Sequence, residues 1–232
     1  MVLNVSRTAV IAGVGPGLGA SLARRFDAAG CSVGLFARSS TYVESLAEEL
    51  DDAVAATVDV GDSDSVARGF ETVREALGPV DVLVFNASTA AWEGTLDIDP
   101  DAFDRALDTN VRGALHCVQE AVPDMLDSDG GTVIFTGATT SVRGREGAIG
   151  FSAAKFGARG MAESMARELG PEGIHVAHIV IDGGIRPPER AVGDSEAYLD
   201  PDAIADSYWM LVQQDRSAWT LELDLRPHVE EF

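Results

Sequence analysis

Lysine is almost missing from this chain. Of 232 residues only Lys155 is lysine, against 16 arginines and 38 aspartates and glutamates, which leaves a formal net charge of −21. A surface so short of positive charge repels nucleic acid and anionic lipid, and neither is expected as a partner. Cysteine is nearly as scarce. Cys31 and Cys117 each lie in an apolar segment, which excludes a disulfide framework and suits buried, reduced thiols in a cytoplasmic protein. No stretch approaches the roughly 18 apolar residues of a membrane helix. The segment 1–12 carries one arginine and a short apolar run that Gly13 breaks, with no small-residue cleavage site after it. It reads as a strand and not as a secretory leader. Linkers, repeats and low-complexity tracts are lacking too, so residues 1–232 read as a single domain, and no metal site is expected.

What is present is acid, spread along the whole chain with no run longer than three. The excess therefore belongs to a folded surface and not to a tail. Dense carboxylate with almost no lysine resembles the composition of haloarchaeal, salt-in proteins, in which molar salt screens the repulsion to a few ångström. The 46% of hydrophobic residues is enough to fill a core.

Apolar runs at Thr8–Ala12, Cys31–Ala37, Ala53–Val60, Val80–Phe85, Thr132–Thr136, His175–Ile181 and Leu221–Leu225 alternate with segments of helical spacing, among them Leu18–Ala29, Asp101–Leu126 and Phe151–Leu169. Near-continuous apolar strands are buried on both faces, and strand–helix alternation makes the sheet parallel. The expected fold is α/β, a doubly wound parallel sheet of about seven strands with helices on both faces. Residues 186–200, with Pro187 and Pro188, form the one sizeable irregular segment and are expected to act as a substrate-side lid.

The turn after the first strand reads Gly13-Val-Gly-Pro-Gly17-Leu18-Gly19 and opens a helix. Such a turn seats a dinucleotide pyrophosphate on a helix N-terminus. At the end of the second strand, where an NAD site usually offers a carboxylate to the ribose, stand Ala37, Arg38 and Ser39. A guanidinium there suits a 2′-phosphate, which favours NADP(H), with NAD(H) as the alternative. The Gly-x-x-x-Gly-x-Gly spacing resembles the short-chain dehydrogenase/reductase family, whose fold is of Rossmann type.

The resemblance extends over residues 7 to about 185. It implies that Asp59 and Val60 contact adenine, that Asn86 and Ala87 belong to the family's Asn-Asn-Ala-Gly turn, that Asn110 is the catalytic asparagine holding a relay water, and that Ile185 lies near the nicotinamide. The family's Tyr-x-x-x-Lys appears as Phe151-Ser-Ala-Ala-Lys155. Lysine is kept, to bind the nicotinamide ribose, and phenylalanine stands at the tyrosine position. Counting back 13 residues places Ala138 where the family has serine. The only lysine of the chain thus falls where the family needs one. The chain resembles a divergent subgroup in which Phe replaces the tyrosine. Thr140 and Ser141 are candidate substitute hydroxyls, Tyr198 and Tyr208 are further ones, and His175 and His178 read as satisfied core or interface histidines.

Small residues surround much of the 151–169 helix, including Ala154, Gly157, Ala158 and Ala162. With the 101–126 helix it resembles the family's two-fold interface, so a homodimer or homotetramer is expected. The expected activity is NADP(H)-dependent oxidation or reduction of a small-molecule carbonyl or alcohol. The alternative is a catalytically inactive NADP(H)-binding sensor or scaffold.

The charge reading makes a direct prediction. Raising KCl from 0.1 M to 1 M shortens the screening length from about 10 Å to about 3 Å, and the melting temperature should rise accordingly. A melting temperature independent of KCl in calorimetry contradicts the salt-adapted reading.

Overall fold

Alternation along buried strands builds two cores, one on each face of a single sheet. In the central strand β1 (Thr8–Ala12) every residue is buried. Ala9 and Ile11 point to one face, Val10 and Ala12 to the other. The computed structural model describes residues 7–188 and 195–230. After β1 the order is α1 (Leu18–Ala28), β2 (Ser32–Ala37), α2 (Ser40–Glu49), β3 (Ala53–Thr57), α3 (Ser63–Leu77), β4 (Val82–Phe85) and α4 (Pro100–Leu107). There follow α5 (Gly113–Leu126), β5 (Gly131–Thr136), α6 (Ile149–Leu169), β6 (Ile174–Ile181), β7 (Gly184–Ile185), β8 (Tyr198–Leu199), α7 (Pro201–Val212) and β9 (Glu222–Leu225).

Seven strands pair in the order β3-β2-β1-β4-β5-β6-β9, all parallel. The expected doubly wound sheet is present. Helices α1, α2 and α7 cover one face, where Leu22, Phe26, Val43, Leu46 and Tyr208 are buried. Helices α3, α5 and α6 cover the other, with Phe70, Val73, Cys117 and Met125 inside. Full burial of each such large side chain is worth about 1.5–3 kcal/mol. Both cysteines are free and buried; burial pushes the Cys31 thiol up to about 11 and the Cys117 thiol higher still.

Two expectations need correction. The 101–126 segment is not one α-helix: a π-helical turn at Asp108–Arg112 separates α4 from α5. Apolar periodicity does not register one extra residue in a turn. Helix α7 lies beyond the segments assigned from periodicity, although Asp200 caps it, its carboxylate accepting from the Asp202 amide at 3.0 Å, and Pro201 begins it. In the 186–200 segment, β8 pairs in parallel with β7, which lies just before the segment, while residues 189–194, the middle of the expected lid, lie outside the described residues. No described helix is long and apolar enough to cross a membrane.

Candidate active site

The order of the sheet reverses between β1 and β4, and loops there diverge to leave a crevice at the carboxyl ends of the strands. Gly13 makes the crevice possible. Its φ of +104° suits glycine, and a Cβ there would stand 2.5 Å from the Ala87 Cα. Asn86 fastens the same junction: its side-chain amide donates to the Gly13 carbonyl at 2.8 Å and its backbone amide to Ala12 at the same distance. Gly19, the second residue of α1, would carry a Cβ 2.7 Å from the Gly13 carbonyl oxygen, so the helix packs directly on the turn. By contrast, a Cβ built on Gly15 or Gly17 meets nothing within 4 Å. The turn thus exposes bare backbone at a helix N-terminus toward open space, which fits a pyrophosphate.

A cleft of about 280 Å³ opens there, lined by Gly13, Arg38, Asp59, Val60, Asn86 and Ala87 among others. Six residues taken from sequence therefore converge on one cavity. Gly17, Leu18 and Gly19 lie at the α1 start, Leu18 being buried in the core. Ser39 is the N-cap of α2 beside Arg38. Ile185 packs against the buried core and lines neither cleft. Sequence reasoning missed Thr89 and Thr109, which also line the nucleotide cleft; nothing in their spacing marks them.

Asn110 is 1% exposed inside the π-turn. Its amide nitrogen donates to the Thr89 carbonyl at 2.8 Å and the Ala106 carbonyl at 2.9 Å, and its oxygen accepts from the Ser88 hydroxyl at 2.9 Å. The side chain ties the loop after β4 to the helix.

Lys155 is 4% exposed. Its ammonium donates to the Thr136 carbonyl at 2.9 Å and lies 5.6 Å from the Phe151 ring centre. Burial pushes its pKa down to about 8, because charge is disfavoured away from water. His178, pushed down to about 4 by burial, stands on β6 nearby and is neutral at pH 7. Contrary to expectation, the two strand histidines are only half satisfied: His175 Nδ1 and His178 Nε2 are buried without a partner. Tyr208 is fully buried in α7, paired with the Thr136 hydroxyl at 2.8 Å, and so serves the core.

A second cavity, about 790 Å³, adjoins the end of β6 and the start of α6; Ala138, Thr140, Phe151, Trp92, Arg143 and Asp182 line it. Thr140 is 3% exposed and its hydroxyl has no partner. Ser141 is buried and accepts from the Ala138 amide. Asp182 accepts from the Thr139 hydroxyl at 2.6 Å and pairs with Arg143 at 3.4 Å and Arg226 at 3.5 Å. No cluster able to hold a metal occurs among the described residues.

A parallel, doubly wound sheet with a glycine turn at its switch point defines a dinucleotide-binding α/β protein. The short chain dehydrogenase family model matches residues 7–188, and the chain belongs to that family. It is 30% identical over 179 residues to 3-oxoacyl-[acyl-carrier-protein] reductase FabG of Staphylococcus aureus, covering 75% of this chain and 73% of that protein. To 3-oxoacyl-[acyl-carrier-protein] reductase MabA of Mycobacterium tuberculosis it is 33% identical over 181 residues, covering 78% and 70%. Among solved structures, a short-chain dehydrogenase from Rhodopseudomonas palustris superposes with a TM-score of 0.85 at 32% identity, over 96% of this chain and 99% of the other. A metagenomic short-chain oxidoreductase in complex with NADP does so with a TM-score of 0.85 at 25% identity, over 97% and 99%.

The depressed lysine has a measurable consequence. Between about pH 8 and the ordinary 10.5, the unfolded chain keeps a proton that the folded chain has lost, so this group makes stability rise with pH. In urea unfolding at pH 7.5 and 10, wild type should gain on the order of 2 kcal/mol relative to Lys155→Met. Parallel pH profiles for the two proteins contradict a buried ammonium.

Proposed function

We propose that the chain is an NADP(H)-dependent oxidoreductase of a small carbonyl or alcohol, working with an incomplete set of the family's catalytic groups. Arg38 carries the cofactor preference. It is exposed on the nucleotide cleft, and no ion pair joins it to a carboxylate among the described residues. In a chain of net charge −21, an unpaired guanidinium at the end of β2 suits an adenosine 2′-phosphate. NAD(H) is the weaker alternative, since no carboxylate stands at that position to bind a free 2′-hydroxyl.

In this reading Gly13, Gly17, Leu18 and Gly19 seat the pyrophosphate, and Ser39 borders the 2′-phosphate. Asp59 and Val60 flank adenine, while Asn86 and Ala87 form the floor. Lys155 holds the nicotinamide ribose, with Ile185 on the nicotinamide side. The bound cofactor supplies or accepts hydride. Asn110 fixes the loop after β4 and the π-turn against each other. Ala138 and Phe151 have no proton to give, so the Thr140 hydroxyl hydrogen-bonds the substrate oxygen and water provides the net proton. Lacking a positioned general acid costs roughly 10²- to 10⁴-fold in rate, so turnover is slow.

The single-domain reading is supported by one continuous sheet, with 186–200 as a substrate-side lid. Leu115 on α5 and Phe156 on α6, 37% and 43% exposed, support a homodimer or homotetramer through helices 101–126 and 151–169. The lysine-poor acidic composition supports a salt-adapted, cytoplasmic setting, and phenylalanine at position 151 is what supports a divergent subgroup.

The second reading, a non-catalytic NADP(H) sensor or scaffold, is favoured by the loss of both hydroxyls at Ala138 and Phe151. Nucleotide binding and NADPH oxidation across a carbonyl panel in 1 M KCl decide between them. Arg38→Ala should weaken NADPH roughly 10- to 100-fold, the worth of a charge-assisted hydrogen bond, and leave NADH within about twofold. Phe151→Tyr should raise kcat of an already active enzyme. Tight NADPH binding without wild-type turnover, with activity only in Phe151→Tyr, contradicts the enzyme reading.

A further inference from the structure

The substrate-side cavity presents a cation that no carboxylate offsets. Many arginines among the described residues are paired, Arg24 with Glu49, Arg74 with Asp124 and Arg159 with Glu222. Arg145 lines the cavity, and no ion pair joins it to a carboxylate among the described residues. Its guanidinium lies 5.4 Å over the Trp92 ring. Trp92 in turn packs against Phe151, with ring centres 4.9 Å apart. The Arg145 amide donates to the Ser152 hydroxyl at 3.2 Å, one residue along from Phe151. Phe151 is therefore the base of a contact series, Phe151–Trp92–Arg145, with the two rings tilted at 56°, that holds a guanidinium at the cavity wall. A phenylalanine without a proton still has work in this arrangement.

Two further observations concern the same space. Thr140 borders it, with its hydroxyl oxygen buried and without a partner among the described residues. Buried polar groups in folded proteins are as a rule hydrogen-bonded, so a turn of this side chain toward the cavity would let a ligand oxygen or nitrogen meet a hydrogen bond the fold leaves unmade. Asp182, the one buried acid of the lining, is already neutralised by Arg143, Arg226 and the Thr139 hydroxyl. Glu146, exposed, and Glu230, half-buried, also line the cavity; they add to the field of a strongly acidic protein that any anion must cross. A neutral ligand gains little from Arg145. A carboxylate gains a forked, planar partner in the one direction where the field is reversed.

We propose that the cavity takes a carbonyl compound bearing a carboxylate, an oxo acid, whose anion pairs with Arg145 while Thr140 donates to another of its oxygens. Trp92 and Phe151 supply an aromatic wall for its carbon skeleton. This rests on the reading of the cavity as the substrate side of an oxidoreductase and makes Arg145 the residue that selects the substrate class.

The test separates charge from shape. Benzoylformate and its methyl ester are titrated calorimetrically into the full chain in KCl, with and without NADP⁺, so the result does not require turnover. Benzoylformate should bind at least tenfold more tightly than the ester in one or both conditions. Arg145→Gln should erase that preference while leaving the ester within twofold of wild type. Arg68→Gln, an exposed arginine of α3, should change neither. Equal binding of acid and ester, binding of neither, or a preference that survives Arg145→Gln overturns the proposal. Failure of NADP⁺ to bind while the acid preference persists sinks the cofactor reading alone.

Discussion

The close approach of β1 and β4 at Gly13 is the constraint on which the site depends. With no Cβ in the way and φ at +104°, the ends of the two strands meet backbone to backbone, and the Asn86 side chain locks them through the Gly13 carbonyl. The Gly13 and Val14 amides both donate to the Phe36 carbonyl, at 3.0 and 2.9 Å, so β2 is drawn into the same junction. Arg38, two residues beyond Phe36, is thereby placed on the rim of the cleft that Gly13 floors. A side chain at residue 13 would part these strands and dismantle both ends of the nucleotide cleft together.

Charge organises the rest. Most arginines spend their guanidinium on neighbouring carboxylates, and the sole lysine is withdrawn from the surface entirely, its ammonium held by the Thr136 carbonyl at 2.9 Å. Among the described residues, Arg38 and Arg145 have no ion pair with a carboxylate, and they line the two cavities. In an acidic protein such side chains are local reversals of the field.

The sheet was legible because its strands are apolar on both faces, a pattern that period counting detects, and Thr8–Ala12 has the same bounds in sequence and structure. The glycine turn was legible because its spacing has a steric cause. The π-turn at Asp108–Arg112 was not, since it changes the register of a helix by a hydrogen-bond shift that leaves composition untouched. Nor was the contact series of Trp92, Phe151 and Arg145, whose members are brought together by packing of the loop after β4 against the start of α6 and share no sequence spacing. The orphaned Thr140 hydroxyl is likewise a property of its surroundings, although its nearness to Ala138 marked it as a candidate. Sequence thus brought together the residues that line the first cleft better than those of the second cavity, because backbone geometry constrains the first and side-chain packing the second.

The central claim is that the crevice at Gly13 is an NADP(H) site whose phosphate preference is set by Arg38. A crystal structure of the protein grown with NADP⁺ tests it most directly. The account predicts the pyrophosphate against the backbone from Gly15 to Leu18 and the 2′-phosphate in a forked hydrogen bond with the Arg38 guanidinium. A nucleotide bound with its 2′-phosphate turned to solvent and Arg38 unengaged, or a crevice that stays free of nucleotide at saturating NADP⁺, would contradict it.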